Sequence, residues 1–196
     1  MASEQREGSA GEEDEAIARL VAAQAFRDAI ARCAEVYGAA LGRFCMAQLG
    51  SQAEAEEIVQ ETLVAAYQGM ARFRGEGSVR GWLYGIARHL CARRIETRVR
   101  REGLLREAPW DAFQHEADEE SSEESLLVRQ ERAALMRALL AELKPSERDA
   151  LLLRYESGLS YREIATSCQI DESAARKRTS RALARLRELW KAGGKA

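Results

Sequence analysis

Apolar residues recur at steps of three and four along most of this chain, the period of helices with one apolar face. The first such series begins near residue 25 and runs to Leu49, where a Gly-Ser pair ends it. A second series spans about 53–72 and places Tyr67 on its inward, apolar side. A third series begins at Val79, and the pattern resumes after residue 125. We therefore expect an all-α protein with two helical modules.

Composition agrees with this fold class. The 196-residue chain has only two prolines, and Ala, Leu, Glu and Arg, which favour helices, dominate it. It shows no apolar run of about 18 residues and no basic-then-apolar leader, so we expect a cytoplasmic protein. The cysteines are widely spaced within apolar helical pattern, which predicts buried, reduced thiols rather than a metal or redox site; they are Cys33, Cys45, Cys91 and Cys168.

The net charge of −2 conceals a strong segregation of charge along the chain. Acids dominate the first 15 residues, arginines dominate 72–101, and acids dominate again over 102–125. This pattern predicts an acidic, largely disordered extension at 1–24 and a flexible acidic linker at 102–125. The linker would join one module at 25–101 to a second at 126–190, which a disordered tail at 191–196 would follow.

The segment from Leu159 to Arg187 predicts a helix-turn-helix. Asp171 stands where the cap of the second helix is expected, and the apolar residues that follow it share one helical face. The opposite face carries polar and basic side chains: Ser173, Arg176, Lys177, Ser180 and Arg181. A helix with this face fits the major groove of DNA, where Arg and Lys contact guanine edges and phosphates. A solvated basic helix is the alternative.

Two features of the first module need separate explanations. Its second helix carries outward acids, which a module that binds only DNA does not need; they suggest a protein partner with a basic surface, and a solvated face is the alternative. Its third helix interleaves arginines with Trp82 and Tyr84, as in sites for single-stranded nucleic acid. The alternative for both rings is a place in the core, and Trp82 lies on the apolar stripe.

Two strings in the chain resemble a known family. AEAEEIVQETLVAAYQGMARFRGEGSVRGWLYGIARHLCARR resembles the second conserved region of bacterial sigma factors of the extracytoplasmic-function (ECF) group. LKPSERDALLLRYESGLSYREIATSCQIDESAARKRTSRALARLREL resembles their fourth region, in the same order along the chain. The resemblance implies a sigma factor with these two regions only, which binds core RNA polymerase and directs it to promoters.

The resemblance also implies a role for particular residues. Contacts to core polymerase would come from Glu56, Glu57, Gln60 and Glu61. The −10 element would be contacted by Arg72, Phe73, Arg74, Arg80, Arg88, His89, Arg93 and Arg94, with one base extruded from the stack. The −35 element would be contacted by Ser160, Tyr161, Ser173, Arg176, Lys177, Ser180 and Arg181.

Two of these positions depart from the family pattern. His89 stands where relatives commonly have Asn, and Lys177 stands where they commonly have Ser, so promoter preference should differ from theirs. The resemblance implies an anti-sigma factor as a further partner, and we expect no homo-oligomer. We expect no cofactor, metal or catalytic residue, because the chain has no phosphate-binding glycine loop and no nucleophile elbow.

Two other functions compete with the sigma-factor hypothesis. A one-component transcriptional regulator would bind DNA alone through its helix-turn-helix, but it would have no reason to keep an acidic helix in the first module. A degenerate sigma-like adaptor that sequesters a partner would have lost its basic DNA-binding faces, and here both faces are present in the sequence. The sequence therefore favours a sigma factor.

Overall fold

The computed structural model describes residues 2–75, 77–102 and 134–193, and every regular element in those ranges is helical. The first module contains α1 (Ala2–Ala22), α2 (Phe26–Leu49), α3 (Gln52–Gly69), a 3₁₀ turn (Met70–Arg72) and α4 (Val79–Glu102). The second contains α5 (134–141), α6 (Pro145–Leu151), a π-helical turn (Leu152–Glu156), α7 (Tyr161–Cys168) and α8 (Glu172–Gly193). The all-α prediction is confirmed. Beyond residue 102, the predicted linker at 102–125 lies outside the described residues.

Helix α2 is the centre of the first module and packs against α1, α3 and α4. Its buried face follows the predicted period, with Cys33, Leu41 and Phe44 fully buried. Gly50 ends the helix at φ 80°, a left-handed conformation that glycine adopts without steric cost. The Ser51 side chain then accepts a hydrogen bond from the Glu54 N–H (3.4 Å) and caps α3.

The acidic N-terminal extension is helical, so the prediction of disorder at 1–24 is wrong. Ile17 of α1 is fully buried in the core of the first module. Two neighbouring acids also make specific contacts: Glu13 pairs with Arg32 of α2 (2.7 Å), and Asp14 reaches the start of α4. Charge density suggested a tail, but α1 is anchored by Ile17, by the partly buried Ala18, Leu20 and Val21 that pack against the same core, and by these two carboxylates. The prediction of a disordered tail from residue 191 is also wrong, because α8 continues to Gly193.

The second module forms the predicted helix-turn-helix. The Ser160 side chain and Glu163 cap each other's backbone N–H groups at the start of α7, a capping box that fixes where this helix begins. Gln169 ends α7 in the left-handed conformation (φ 54°), and the Asp171 carboxylate then accepts from the Ala174 N–H (2.8 Å) at the start of α8. The prediction that Asp171 caps this helix is confirmed.

The two modules pack directly against each other through α4 and α7. Gly81 and Gly85, one helical turn apart on α4, face the α7 backbone: a Cβ on Gly81 would lie 3.2 Å from the Glu163 carbonyl oxygen, and one on Gly85 would lie 3.4 Å from the Ser167 Cα. The Ser167 hydroxyl donates to the Gly81 carbonyl (2.6 Å) in this buried contact. One apolar core, which includes Leu83 of α4 and Ile164 of α7, therefore runs through both modules.

Candidate nucleic-acid and polymerase interface

Helix α8 separates a buried face from a basic one. Its buried face packs against α6 and α7 of the same module and contains Ala175, Thr179 and Ala182, as their three- and four-residue spacing predicts. The five predicted −35 residues of this helix all lie on its exposed side: Ser173, Arg176, Lys177, Ser180 and Arg181. Because the buried face fixes the rotation of the helix, these side chains form one continuous surface of the size that enters a major groove.

The start of α7 lies beside this surface and supports it. The Tyr161 ring is half-buried and lies between two guanidinium groups, those of Arg154 (5.0 Å to the ring centroid) and Arg176 (4.6 Å). Arg176 also pairs with Glu172 one turn earlier on α8. Ser160, a predicted phosphate contact, is the helix cap described above. Its side chain and backbone are therefore committed to Glu163 in this structure.

Helix α3 presents an exposed acidic surface. The four residues predicted to contact the polymerase, Glu56, Glu57, Gln60 and Glu61, are all exposed. Val64 and Tyr67 continue this surface, with exposed fractions of 56% and 44%. Tyr67 was expected to face inward with the apolar stripe, and that expectation is wrong. The surface therefore combines carboxylates with two large apolar side chains, a composition suited to a protein partner.

Arg94 of α4 lies at the edge of this acidic surface. Its guanidinium pairs with Glu57 (2.9 Å) and Glu61 (3.4 Å), and the hydrogen bond with Glu57 raises its pKa. Arg94 was predicted to lie near the DNA backbone, but here its side chain is directed to the acids of α3. If a basic partner binds the Glu57 and Glu61 carboxylates in place of Arg94, the Arg94 side chain is released at the same time.

Four of the predicted −10 residues are exposed and free to meet a ligand: Arg72, Arg74, His89 and Arg93. Phe73 is half-buried, and its ring packs against that of Trp82 (5.1 Å between centroids). Trp82 is itself half-buried, whereas Tyr84 is fully buried and packs edge-to-face on Phe44 (5.5 Å). The core alternative therefore holds for Tyr84, which cannot offer its ring to a base.

Arg80 and Arg88 contact the second module instead of solvent. The Arg80 guanidinium donates to the Ser157 carbonyl and lies 3.7 Å from the Glu163 carboxylate. The Arg88 guanidinium donates to the Ser167 carbonyl (3.2 Å) and pairs with Asp149 (3.4 Å). Both arginines were expected to contact the −10 element. In this arrangement they hold the modules together and leave little of their side chains exposed.

Asp14 of α1 lies at the first turn of α4. Its carboxylate accepts hydrogen bonds from the N–H groups of Arg80 (2.7 Å) and Val79 (3.1 Å), and from the Tyr37 hydroxyl (3.4 Å). Burial raises the pKa of Asp14 and outweighs the two backbone hydrogen bonds, which lower it; the nearby Glu163 charge raises it further. No local sequence signal indicates this contact, because it joins residues 65 and 66 positions apart along the chain.

The cysteines are free thiols, as predicted. Cys33, Cys45 and Cys91 are buried, and Cys168 is half-buried. Burial raises the pKa of Cys33 to about 12, and a hydrogen bond with Cys45 together with burial raises the pKa of Cys91. Because the thiolate is the reactive form, these buried thiols are poor nucleophiles and poor redox sites at neutral pH.

No helix in the described ranges is long and apolar enough to span a membrane.

The geometry defines a class of protein: two joined helical modules, of which one has a helix-turn-helix with a basic recognition face and the other a separate acidic face. The Sigma-70 region 2 family model matches residues 33–101, and the Sigma-70 region 4 model matches residues 133–186. The chain therefore belongs to the ECF group of the sigma-70 family of RNA polymerase sigma factors.

Similar proteins carry the same description. The chain is 32% identical to the RNA polymerase sigma-H factor of Pseudomonas aeruginosa, over 66% of this chain and 69% of that one. It is 31% identical to the ECF RNA polymerase sigma factor SigC of Mycobacterium tuberculosis, over 70% of each chain. The fold is similar to that of the sigma factor RpoE of Bartonella quintana, solved in complex with the anti-sigma factor NepR (TM-score 0.63, 25% identity, 81% of this chain and 94% of that one).

Proposed function

We propose that this sigma factor binds core RNA polymerase through the acidic surface of α3 and selects promoters through two DNA-binding faces. The observation that carries the proposal is the presence, in one chain, of an exposed acidic surface on α3 and an exposed basic surface on α8. A regulator that binds only DNA needs the second surface and has no use for the first. The protein would act in the cytoplasm, as an initiation factor without catalysis of its own.

The −35 element would be bound as duplex DNA by α8. Its exposed basic face has the charge for a major groove, and the Arg176 guanidinium on that face lies over the Tyr161 ring (4.6 Å to the centroid). Lys177, in place of the Ser that is common in the family, adds a longer cationic donor to this surface. We expect the preferred −35 sequence to differ from those of relatives for this reason.

The −10 element would be bound by the loop before α4 and by the first turns of that helix. The exposed Arg72, Arg74 and Arg93 would supply a cationic track for a separated strand, together with the exposed ring of His89 and the half-buried rings of Phe73 and Trp82. Arg80 and Arg88 would join this track after release from the second module. His89 is larger than the usual Asn and offers a ring nitrogen to a base edge, which would change the −10 preference.

The packed arrangement of the modules must open for both elements to be bound together. The −10 and −35 elements lie about 25 base pairs apart, or about 85 Å along a duplex at about 3.4 Å per base pair. In the structure the Ser167 hydroxyl and the Gly81 carbonyl are 2.6 Å apart, so α4 and α7 touch. We propose that this is a resting arrangement, and that the Arg80 and Arg88 contacts to the second module are exchanged for contacts to DNA.

We also propose control by an anti-sigma factor. The support is the fold shared with RpoE of Bartonella quintana, which was solved with its anti-sigma factor. A protein that bound both modules in the packed arrangement would keep α4 and α7 together and hold Arg80 and Arg88 away from DNA. Once released from the anti-sigma factor, the protein would bind the polymerase as a monomer.

The experiment that tests the proposed function is transcription in vitro. Purified core RNA polymerase transcribes a library of genomic fragments with and without this protein, and discrete start sites that appear only with the protein define its promoters. The matched control is Arg181→Glu, which reverses one charge on the exposed face of α8 and leaves α3 unchanged. This variant should bind core polymerase normally and lose the −35-dependent start sites. Specific retention of DNA by the protein alone, with no new transcripts, would instead favour a one-component regulator.

A further inference from the structure

The first turn of α4 has four backbone N–H groups without partners inside the helix, as every α-helix does. Three of these groups, on Val79, Arg80 and Gly81, donate to side chains here. The Gly81 N–H donates to the Ser78 hydroxyl (2.9 Å), which is a local contact. The Val79 and Arg80 N–H groups donate to the Asp14 carboxylate, which comes from another helix. Two of the three side-chain caps of α4 are therefore supplied by α1.

A carboxylate is well suited to this position. The N-terminus of α4 carries a partial positive charge from its aligned peptide dipoles, and its first turn contains no acid of its own. Asp14 uses both oxygens, one on each N–H, so it fixes the direction of the helix as well as its start. The loop that leads into this turn contains Gly75 and Gly77 at positive φ (72° and 98°), conformations that do not by themselves hold the helix in place.

Only one of the two carboxylates near this helix end stays there when the modules separate. Glu163 also lies at the start of α4, where it accepts from the Ser78 hydroxyl (3.2 Å), but it belongs to α7 of the second module. In the promoter-bound arrangement described above, Glu163 leaves with α7. Asp14 is on α1, which is anchored in the first module by the buried Ile17, so it remains.

We propose that Asp14 is a positioning residue for −10 recognition: it holds the first turn of α4, and the loop before it, in the geometry that captures the −10 strand. This inference rests on the proposed function, because it assigns the −10 element to that loop and turn. It also gives the acidic N-terminal helix a role in promoter selection, as the part of the first module that fixes the DNA-binding end of α4.

The test compares two isosteric variants at adjacent positions of α1. Asp14→Asn keeps one acceptor oxygen but directs an amide at the second N–H group, so it breaks half of the cap and removes the charge. Glu13→Gln is the matched control: it weakens the contact of the same helix with Arg32 of α2 and leaves the α4 cap intact. Each variant of the full chain is assembled with core polymerase, and its affinity is measured for a −10 single strand and a −35 duplex taken from a promoter found by in vitro transcription.

We expect Asp14→Asn to lower affinity for the −10 strand about 3- to 10-fold, the range that follows from a lost helix cap. Affinity for core polymerase and for the −35 duplex should stay at wild-type values, and Glu13→Gln should match wild type in all three. Hydrogen–deuterium exchange should rise at the amides of Val79 and Arg80 in Asp14→Asn alone. Unchanged −10 affinity, or an equal loss on the −35 duplex, would overturn the proposal, since either result makes Asp14 a general structural residue.

Failure of the proposed function would have a different signature. In that case the wild-type protein would yield no promoter-specific transcripts, and no −10 strand would be defined for the comparison. The exchange measurement does not need DNA. It would still report whether Asp14 holds the start of α4. The role of this contact in promoter recognition would be refuted along with the proposed function.

Discussion

Asp149 is the residue whose loss should open the packed arrangement of the modules without touching either DNA-binding face. It lies on α6, and its carboxylate accepts from the Gln48 amide (2.7 Å) and pairs with Arg88 (3.4 Å), both in the first module. The Asp149 side chain is 13% exposed, and Gln48 is 2% exposed. The Asp149→Ala variant removes both contacts. In the packed arrangement of this variant, the Gln48 amide is still buried but has lost the Asp149 carboxylate as its acceptor.

The size of the effect follows from these two contacts. A buried hydrogen bond to a charged acceptor contributes about 1.5–3 kcal/mol. The Arg88 pair is a quarter exposed on the arginine side, so solvent screens it and it adds less, about 0.5 kcal/mol. The total, about 2–3.5 kcal/mol, shifts the equilibrium between packed and separated modules at least about 30-fold toward separation. The affinity of the free protein for a −10 single strand should rise by at most the same factor, because only the separated form offers Arg80 and Arg88 to DNA.

Two measurements check this prediction. Small-angle X-ray scattering should show a larger radius of gyration for Asp149→Ala than for wild type, and fluorescence anisotropy should show tighter binding of the −10 strand. Glu142→Ala is the matched control: it removes the same charge from an exposed position near the same module and should change neither quantity. If Asp149→Ala has the wild-type radius of gyration and the wild-type affinity for the −10 strand, the Asp149 contacts do not hold the modules together and do not restrain DNA binding.

Three further predictions concern the acidic surface of α3, the basic surface of α8 and the Asp14 carboxylate. Gln60→Ala with Glu61→Arg should weaken core polymerase binding at least about 10-fold with the fold intact by circular dichroism, because it reverses charge on the α3 surface; unchanged affinity in a core-binding titration would contradict this role. Arg176→Ala should cost about 1–3 kcal/mol at one −35 base pair in a scan of substituted duplexes, and a uniform loss over all duplexes would make it a phosphate contact. Because burial raises the folded-state pKa of Asp14 above 3.8, the stability of wild type relative to Asp14→Asn should be greatest below pH 3.8 and should fall as pH rises through the folded-state pKa. Urea unfolding of both proteins across the acidic pH range tests this sign, and a difference that grows with pH would contradict it.

The parts of the fold that depend on local periodicity were predictable from the sequence. In α8, the spacing of Ala175, Thr179 and Ala182 determined the buried face, and so it also determined which side chains are exposed. The start of α8 was predictable for a similar reason, because Asp is a favoured N-cap residue and Asp171 does accept from the Ala174 N–H. The end of α7 was not predictable in this way, because Gln169 adopts a left-handed conformation that its side chain does not favour. The α3 surface was predicted correctly except at Tyr67, where an aromatic residue on the apolar side proved to be exposed.

The contacts that were missed join residues far apart along the chain. Arginines beside a DNA-binding loop carry the same local signal whether they meet phosphate or a carboxylate, so nothing near Arg88 in sequence indicated Asp149, 61 positions away. Two sequence features do indicate long-range contacts of this kind. The spacing of Gly81 and Gly85, one turn apart on one helix, is typical of a close approach between helices. Ile17, in an otherwise charged segment, indicated that α1 is anchored in a core.

The accessibility of the α3 surface in the packed arrangement has a consequence for the order of assembly. Glu57, Gln60 and Glu61 are exposed while α4 and α7 still touch, so recruitment to the polymerase does not have to wait for the modules to part. A complex can therefore form that holds the sigma factor but is not yet competent for promoters, and its maturation is a first-order step whose rate does not depend on polymerase concentration. Rapid-mixing kinetics on such a complex would separate into a concentration-dependent phase for capture and a concentration-independent phase for activation.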